Sequence, residues 1–232
     1  MGETISIIIP VYNGEGIVGE TLESYYSYFS KNHSEFEIIA VVNNCTDSSP
    51  KIVSAFSRGK SKIKVLKFDY YIGKGGAVME GFSVAKGKII CFADQDNSVS
   101  AEELMKLIKG IKQFDAVIAS RAVKESVLLK AQPWYRQILG KTFMFIVNIL
   151  FNLRVNDSVC GGKVFSRKVV DIFLRNDIVK GFEFDVQLIW ICRKNNLLVL
   201  EKGIKWANYE NSTMGWRDPF RMLMSLLKMR LK

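Results

Sequence analysis

The sequence predicts a single α/β domain built on a mostly parallel sheet. Three observations point to it. Five short apolar runs alternate with segments of helical period across the first 120 residues. The runs are apolar nearly throughout, as in strands covered by helices on both faces. No repeat, low-complexity tract or linker interrupts the chain, and 232 residues at 48% hydrophobic content suffice for one core.

Ile5–Ile9 is the first strand, and Val18, Leu22, Tyr25, Tyr26 and Phe29 follow at helical spacing. Phe36–Val42 is the second strand. Ser49-Pro50 then reads as an N-cap with proline at the first helical position. Ile63–Phe68 is the third strand, and Ala77, Val78, Gly81, Phe82 and Ala85 mark the next helix. After the fourth strand, Ile89–Ala93, Ser100 and Glu103 form a capping box ahead of Leu104, Leu107, Ile108 and Ile111. Ala116–Ser120 is the fifth strand.

The second half departs from this rhythm. Trp134–Leu153 is helical but apolar on nearly every side, with Arg136 and Lys141 near its start. Lys163–Phe165 is a short strand, Ser166 caps a helix through Phe173, Glu183–Lys194 is a further helix and Leu197–Trp206 is extended. Arg217–Lys232 sets Phe220, Leu223, Met224, Leu227 and Leu231 against Arg221, Lys228, Arg230 and Lys232.

Composition removes several function classes. One histidine, His33 in a polar loop, excludes multi-histidine metal sites and argues against a Ser-His-Asp triad. The four cysteines form no C-x-x-C pair, which argues against a zinc ribbon or disulfide scaffold and for a reducing compartment. The net charge of +10 is lopsided: residues 1–120 hold 13 basic and 14 acidic side chains, residues 121–232 hold 20 and 9. The second half thus expects an anionic partner. Met1–Thr4 lacks the basic region of a signal peptide. The longest apolar stretch, Thr142–Phe151, is short of the ~20 residues a spanning helix needs. The chain is therefore expected to lie on a membrane surface and not to cross it.

Ligand sites in open α/β sheets form beyond the carboxyl ends of the strands. Here those ends are Pro10-Val11-Tyr12-Asn13, Asn43–Asp47, Asp69–Gly76, Asp94-Gln95-Asp96-Asn97 and Ser120-Arg121, a polar and glycine-rich rim. Gly14-x-Gly16-x-x-Gly19 has the literal spacing of a dinucleotide fingerprint. It starts four residues after the strand, however, and Asn43 stands where the ribose-binding acid belongs, so a nicotinamide-dependent oxidoreductase is only a remote alternative. Gly73-Lys74-Gly75-Gly76 lacks P-loop spacing but offers a lysine and backbone amides that favour an anion. Asp94 and Asp96, two acids after a buried strand, repel each other unless a cation neutralises them. Mg²⁺ or Mn²⁺ shared with a diphosphate fits that need.

Taken in order, Ile5–Asn13, Asn43–Asp47, Gly73–Ala77 and Phe92–Asp96 resemble the GT-A family 2 glycosyltransferases, and most of all the dolichyl-phosphate β-glucosyltransferases, with dolichyl-phosphate mannose synthases next. The similarity continues through Ala119-Ser120-Arg121, Asp157–Lys163, Phe184–Leu188 and Trp206, about residues 4–206. It implies a GT-A, Rossmann-like domain over 1–210, with a nucleotide-sugar half (1–120), an acceptor half (121–210) and a basic amphipathic helix over 211–232. The resemblance also implies a nucleotide-sugar donor, a divalent metal and a polyprenyl phosphate acceptor. Pro10, Tyr12, Asn13, Glu15, Asn43, Asn44, Lys74, Asp94 and Gln95 match nucleotide-sugar positions. Asn43-Asn44 replaces the usual Asp-Asp, and Gly14 stands where the family usually has Glu. Asp94 and Asp96 match the metal acids, and Arg121 and Lys163 the basic positions near phosphate. Asp157 and Asp185 complete the catalytic set, the latter where relatives with hydroxyl acceptors keep a base. Lys163 and Asp157 also admit a plainer reading, a structural pair with each other.

The expected reaction is inverting transfer of a hexose to dolichyl or polyprenyl phosphate at the cytosolic membrane face. The favoured donor is UDP-glucose and the alternative is GDP-mannose. The anionic partner of the basic half is the membrane surface, and no nucleic acid is expected. The rival is a non-catalytic module that binds membrane or nucleic acid through that half.

Overall fold

The computed structural model describes residues 3–130, 133–207 and 218–231. Its strands are β1 (Ile5–Val11), β2 (Phe36–Asn43), β3 (Ile63–Phe68), β4 (Ile89–Phe92), β5 (Ala116–Ser120), β6 (Val127–Lys130), β7 (Lys163–Ser166), β8 (Val199–Gly203) and β9 (Lys205–Ala207). Its helices are α1 (Val18–Asn32), α2 (Ser49–Ser57), α3 (Gly73–Val84), α4 (Ala101–Gly110), α5 (Trp134–Phe151), α6 (Arg167–Phe173), α7 (Phe184–Lys194) and α8 (Asp218–Leu231). Seven strands form one sheet in the order β3-β2-β1-β4-β7-β5-β8, and β6 pairs with β9 in a second. β7 runs antiparallel to both β4 and β5, and every other pair in the main sheet is parallel.

The sheet follows from its residues. β1 is central and buried along its whole length, which its isoleucines accommodate on both faces. One face packs against α1, α2 and α4 through Leu22, Tyr25, Phe29, Val53, Leu104 and Leu107. The other packs against α3, α6 and α7 through Phe82, Val170, Phe173, Phe184 and Leu188. A third cluster joins α5 and α8 to α7 through Met144, Val147, Phe151, Val186, Ile189, Leu226 and Met229. The terminal helix is thus amphipathic as expected, but its inner face is core: Met222, Leu226 and Met229 are buried while Arg221, Lys228 and Arg230 are exposed. Arg217 and Lys232, expected at the ends of that helix, lie outside the described residues.

Two local expectations change. Ser48, not Ser49, precedes α2, and Ser49 Oγ instead accepts from the Gly14 amide at 2.8 Å, tying the loop after β1 to the start of α2. Ser100 accepts the Glu103 amide at 3.3 Å, but Glu103 does not reciprocate. Its carboxylate takes the Lys205 amide at 3.2 Å and Lys106 Nζ at 2.6 Å, pinning β9 to α4. Each side chain has a partner distant in sequence, Gly14 for Ser49 and Lys205 for Glu103.

α3 lies directly on β1 because Gly81 has no side chain: a Cβ there would stand 2.5 Å from Ile8 Cγ2. Gly81→Ala should therefore destabilise the protein by about 1–3 kcal/mol in urea unfolding. Gly140, mid-helix in α5 with open space around it, should behave oppositely, Gly140→Ala stabilising by about 0.5–1 kcal/mol. Equal effects at the two sites would contradict this packing.

Candidate active site

The parallel strands all point their carboxyl ends to one edge of the sheet, and the expected rim assembles there. Two loops are zipped together first. Asn13, with φ +46°, accepts the Thr46 amide through Oδ1 at 2.8 Å. The Glu15 amide donates to Asp47 Oδ2 at 2.9 Å, and Glu15 Oε2 accepts the Ser48 amide at 2.8 Å. Tyr12 projects half-exposed from this latch and meets Tyr71 edge-on, ring centroids 5.8 Å apart. Asn44 takes up a left-handed conformation at the turn, φ +49°.

Two residues expected to touch the nucleotide also hold the framework. Asn43 is buried, and its Oδ1 accepts the Ile72 amide at 2.9 Å, which fixes the start of α3 against the end of β2. Gln95 bonds both the amide and the carbonyl of Tyr12, each at 2.9 Å, as a neighbouring strand would. Its amide group also fills the space beside Gly14, where a Cβ would lie 2.7 Å away. Gly14 is therefore a packing glycine, and the dinucleotide reading of this stretch loses its basis. Pro10 is buried in β1 opposite Val41.

Asp94 and Asp96 follow β4. Asp96 closes a turn by accepting the Ser98 amide at 3.0 Å. Burial, then the charge of Asp94, pushes its carboxyl above the usual range. Lys74 reaches Asp94 from the first turn of α3, Nζ 2.6 Å from Oδ1. The ion pair engages this buried oxygen directly. Burial opposes the lysine's charge, but Asp94, then Asp185 and Asp96, outweigh it and hold the ammonium well above its ordinary pKa. The Asp94 carboxylate rests on Gly161, where a Cβ would stand 2.1 Å from Oδ2.

The glycines around Lys74 serve the backbone. A Cβ on Gly75 would meet the Val179 carbonyl at 2.2 Å, and one on Gly73, at φ +74°, the Lys180 carbonyl at 2.1 Å. The Gly75 amide donates to Lys180 O at 2.9 Å. The 73–76 turn is therefore a seat for residues 179–184, a correction to its reading as a free amide cradle. That segment brings Phe182 and Phe184 within 5.9 Å of the lysine. Nothing in residues 178–182 marks them as site residues in the sequence; the contact is purely tertiary.

The remaining charges do not take the plainer pairing that the sequence also admits. Lys163 does not pair with Asp157. It is 0% exposed, donates to Asp185 Oδ1 and to the Cys160 carbonyl, and lies 5.3 Å over the Phe92 ring. Lys163 is thus a buried counter-ion of Asp185 in this structure. Asp185 is buried with it, and burial outweighs Lys163 and Lys74 to raise its carboxyl. Asp157 pairs instead with Arg121, Nε to Oδ2 at 2.7 Å and Nη2 to Oδ1 at 2.9 Å. Burial pushes Asp157 up, but Arg121 outweighs it and the net direction is down. Its oxygens also accept the Arg121, Val159 and Cys160 amides, so both are fully engaged. Arg121 stays partly exposed, with its guanidinium carbon 5.4 Å over Trp206 and further N–H groups to offer.

The acid pair suits a hard divalent cation: two carboxylates two residues apart, close enough that the charge of Asp94 helps to raise the carboxyl of Asp96. Among the described residues no third His, Cys, Asp or Glu joins them. A magnesium-type ion held this way completes its shell with water and substrate phosphate.

The chain is 27% identical to a dolichyl-phosphate beta-glucosyltransferase from Trichomonas vaginalis, over 97% of this chain and 72% of that protein. It is also 27% identical to the Drosophila melanogaster dolichyl-phosphate beta-glucosyltransferase and 26% to the human one, each over 90% of this chain and 69% of theirs. Among solved structures it superposes on mannosyl-3-phosphoglycerate synthase from Rubrobacter xylanophilus with a TM-score of 0.75 at 16% identity, covering 99% of this chain and 74% of that one. Glucosyl-3-phosphoglycerate synthase from Mycobacterium tuberculosis, in complex with Mn²⁺, UDP and glucosyl-3-phosphoglycerate, gives 0.72 at 15% identity, covering 99% and 80%. These structures establish a GT-A-like fold. Residues 6–173 match the sequence pattern of glycosyl transferase family 2, and the chain belongs to that family of glycosyltransferases.

Proposed function

We propose that the chain transfers a hexose, glucose first, from a nucleotide sugar to dolichyl or another polyprenyl phosphate at the cytosolic face of a membrane. The relatives named above act, by name, on dolichyl phosphate with glucose. The observation that carries the reading is the state of the bases. Asp157 and Asp185 are both buried in ion pairs, and His33 lies beside Glu3, at the opposite end of β1 from the site. A hydroxyl acceptor needs a base to take its proton. A phosphate monoester, its second pKa ~6, is already largely dianionic at neutral pH and needs orientation and charge screening instead.

The residues divide the work accordingly. Tyr12, Asn13, Glu15 and Asn44 frame the nucleoside side of the rim, and Lys74 faces the diphosphate. Asp94 and Asp96 would hold Mg²⁺ or Mn²⁺, which stabilises charge on the departing diphosphate. Arg121, set by Asp157 and Trp206, positions the acceptor phosphate. An acceptor oxygen bonds to the sugar C1 as the C1–O bond to the diphosphate breaks, and the electron pair leaves with the nucleoside diphosphate. A single in-line displacement inverts C1, giving a β-linked product.

The acceptor's tail keeps its phosphate at a bilayer, so the rim must sit on a lipid surface. α5 offers an outward stripe at two-turn and one-turn spacing: Ile138 (54% exposed), Phe145 (67%) and Ile149 (68%). Its opposite face packs on the segment that carries Asp157, with Ser158 Oγ donating to Met144 Sδ at 3.1 Å. β6 adds exposed Val127, Leu128 and Leu129 between Arg121 and α5. Exposed Arg221 and Lys228 on α8 suit an anionic leaflet. Among the described residues no helix is long and apolar enough to cross a membrane. All four cysteines are free thiols, which suits the reducing side.

Assays with UDP-glucose, UDP-N-acetylglucosamine and GDP-mannose, each with a polyprenyl phosphate, should show UDP-glucose as the best donor. A GDP-mannose preference would move the chain to the mannosyl branch. Transfer should stop in excess EDTA, and Asp96→Asn should lower turnover about 10²-fold or more with the fold intact by circular dichroism. Activity that survives EDTA would remove the metal reading. Replacing Ile138, Phe145 and Ile149 together by serine should weaken co-sedimentation with anionic liposomes and slow transfer to a long-chain acceptor, with donor hydrolysis largely kept. Deleting α8 would not be a clean test, because Met222, Leu226 and Met229 would leave the core. Unchanged liposome binding by the triple variant would refute docking through α5.

A further inference from the structure

The acid pair is not waiting bare for a cation. Lys74 Nζ lies 2.6 Å from Asp94 Oδ1, inside the space a metal on that oxygen would need. The lysine's backbone is fixed. Gly73 and Gly75 on either side are pressed against the Lys180 and Val179 carbonyls, and the Gly75 amide is bonded to Lys180. Only the side chain can move, a flexible four-carbon stem ending in a compact charge. Phe182 and Phe184 stand 5.9 Å from the ammonium.

We infer that Lys74 is the site's resident counter-cation: it neutralises Asp94 before the donor arrives, and it makes the divalent cation and the donor's diphosphate bind as mutually dependent ligands. This rests on the metal reading proposed above. The charges argue for it directly. Asp94, Asp96 and Lys74 together carry about one negative charge. A divalent ion added alone must displace or repel an ammonium held on the same oxygen. A diphosphate arriving with it supplies the missing negative charge and gives the ammonium a new partner. The ammonium then leaves Asp94 to the metal. By linkage the effect is reciprocal: the metal strengthens diphosphate binding by the factor by which diphosphate strengthens metal binding.

The test uses the full chain, with Mn²⁺ binding followed by the electron paramagnetic resonance signal of free Mn²⁺, with and without UDP. The parent protein should bind Mn²⁺ weakly alone and much more tightly with UDP. Lys74→Met should bind Mn²⁺ alone about tenfold more tightly than the parent, and the gain on adding UDP should shrink by a similar factor. Lys74→Arg, which keeps the cation, should retain most of the parent's dependence on UDP. Mn²⁺ should also raise the melting temperature of Lys74→Met more than that of the parent when no nucleotide is present. Equal Mn²⁺ affinity of parent and Lys74→Met, or an undiminished gain from UDP, would overturn the inference while leaving the metal site standing. If Lys74→Met fails to fold, Lys74→Gln carries the same expectation. Asp94→Asn tests the metal site by itself and should abolish Mn²⁺ binding in both conditions. A parent that binds UDP but no Mn²⁺ under either condition would remove the metal reading, and the inference with it.

Discussion

Carboxylates crowded into the low-dielectric end of a sheet stay ionised together only if each has a cation within reach. Here Asp94 has Lys74, Asp185 has Lys163 and Asp157 has Arg121. The site is organised around this matching. Removing one partner from a buried pair strands the other and costs about 3–5 kcal/mol, far more than the pair contributes net. The three pairs are therefore better understood as fixing geometry than as adding stability. They grade outward from Lys163–Asp185, sealed in the core, to Arg121 and Lys74, whose side chains reach the rim.

The fold delivers these charges from distant stretches of chain. Lys163 is on the antiparallel strand β7, inserted between β4 and β5, and pairs with Phe92, two residues before Asp94. Asp185 opens α7, and Lys74 opens α3. The two helices approach because glycines at 73 and 75 admit the 179–184 segment at distances no side chain would permit. α8 is connected to the same region, since Ser225 Oγ donates to Glu183 Oε1 at 2.6 Å, two residues before Asp185. A helix that reads as a surface tail is thus built into the support of the site.

α5 faces two environments. Its inner side completes the third core cluster around Met144, Val147 and Phe151, and its outer side leaves Ile138, Phe145 and Ile149 exposed. That explains a helix apolar nearly all round in a chain where no described helix spans a membrane. One face follows from folding and the other calls for a partner, which is the observation behind the lipid-surface proposal.

The strands, the helices and the rim were legible in the sequence because hydrophobic period and chain order are local properties. β-branched runs alternating with helical spacing leave few topologies, and in such a sheet the site falls at the strand ends. Asp94 and Asp96 stood out for the same reason, as two like charges after an apolar strand. What a polar side chain does at that edge is not local. Asn43 and Gln95 sit at rim positions, yet each turns to a backbone group that folding brings beside it, Ile72 in one case and Tyr12 in the other. Lys163 and Asp157 are close in sequence and suggested a pair. The antiparallel insertion of β7 gave the lysine to Asp185 and left Asp157 for Arg121. Composition and spacing determine which charges arrive at the edge of the sheet. Which acid meets which base is decided only by tertiary packing, because burial lets each charge stay only beside the partner within reach.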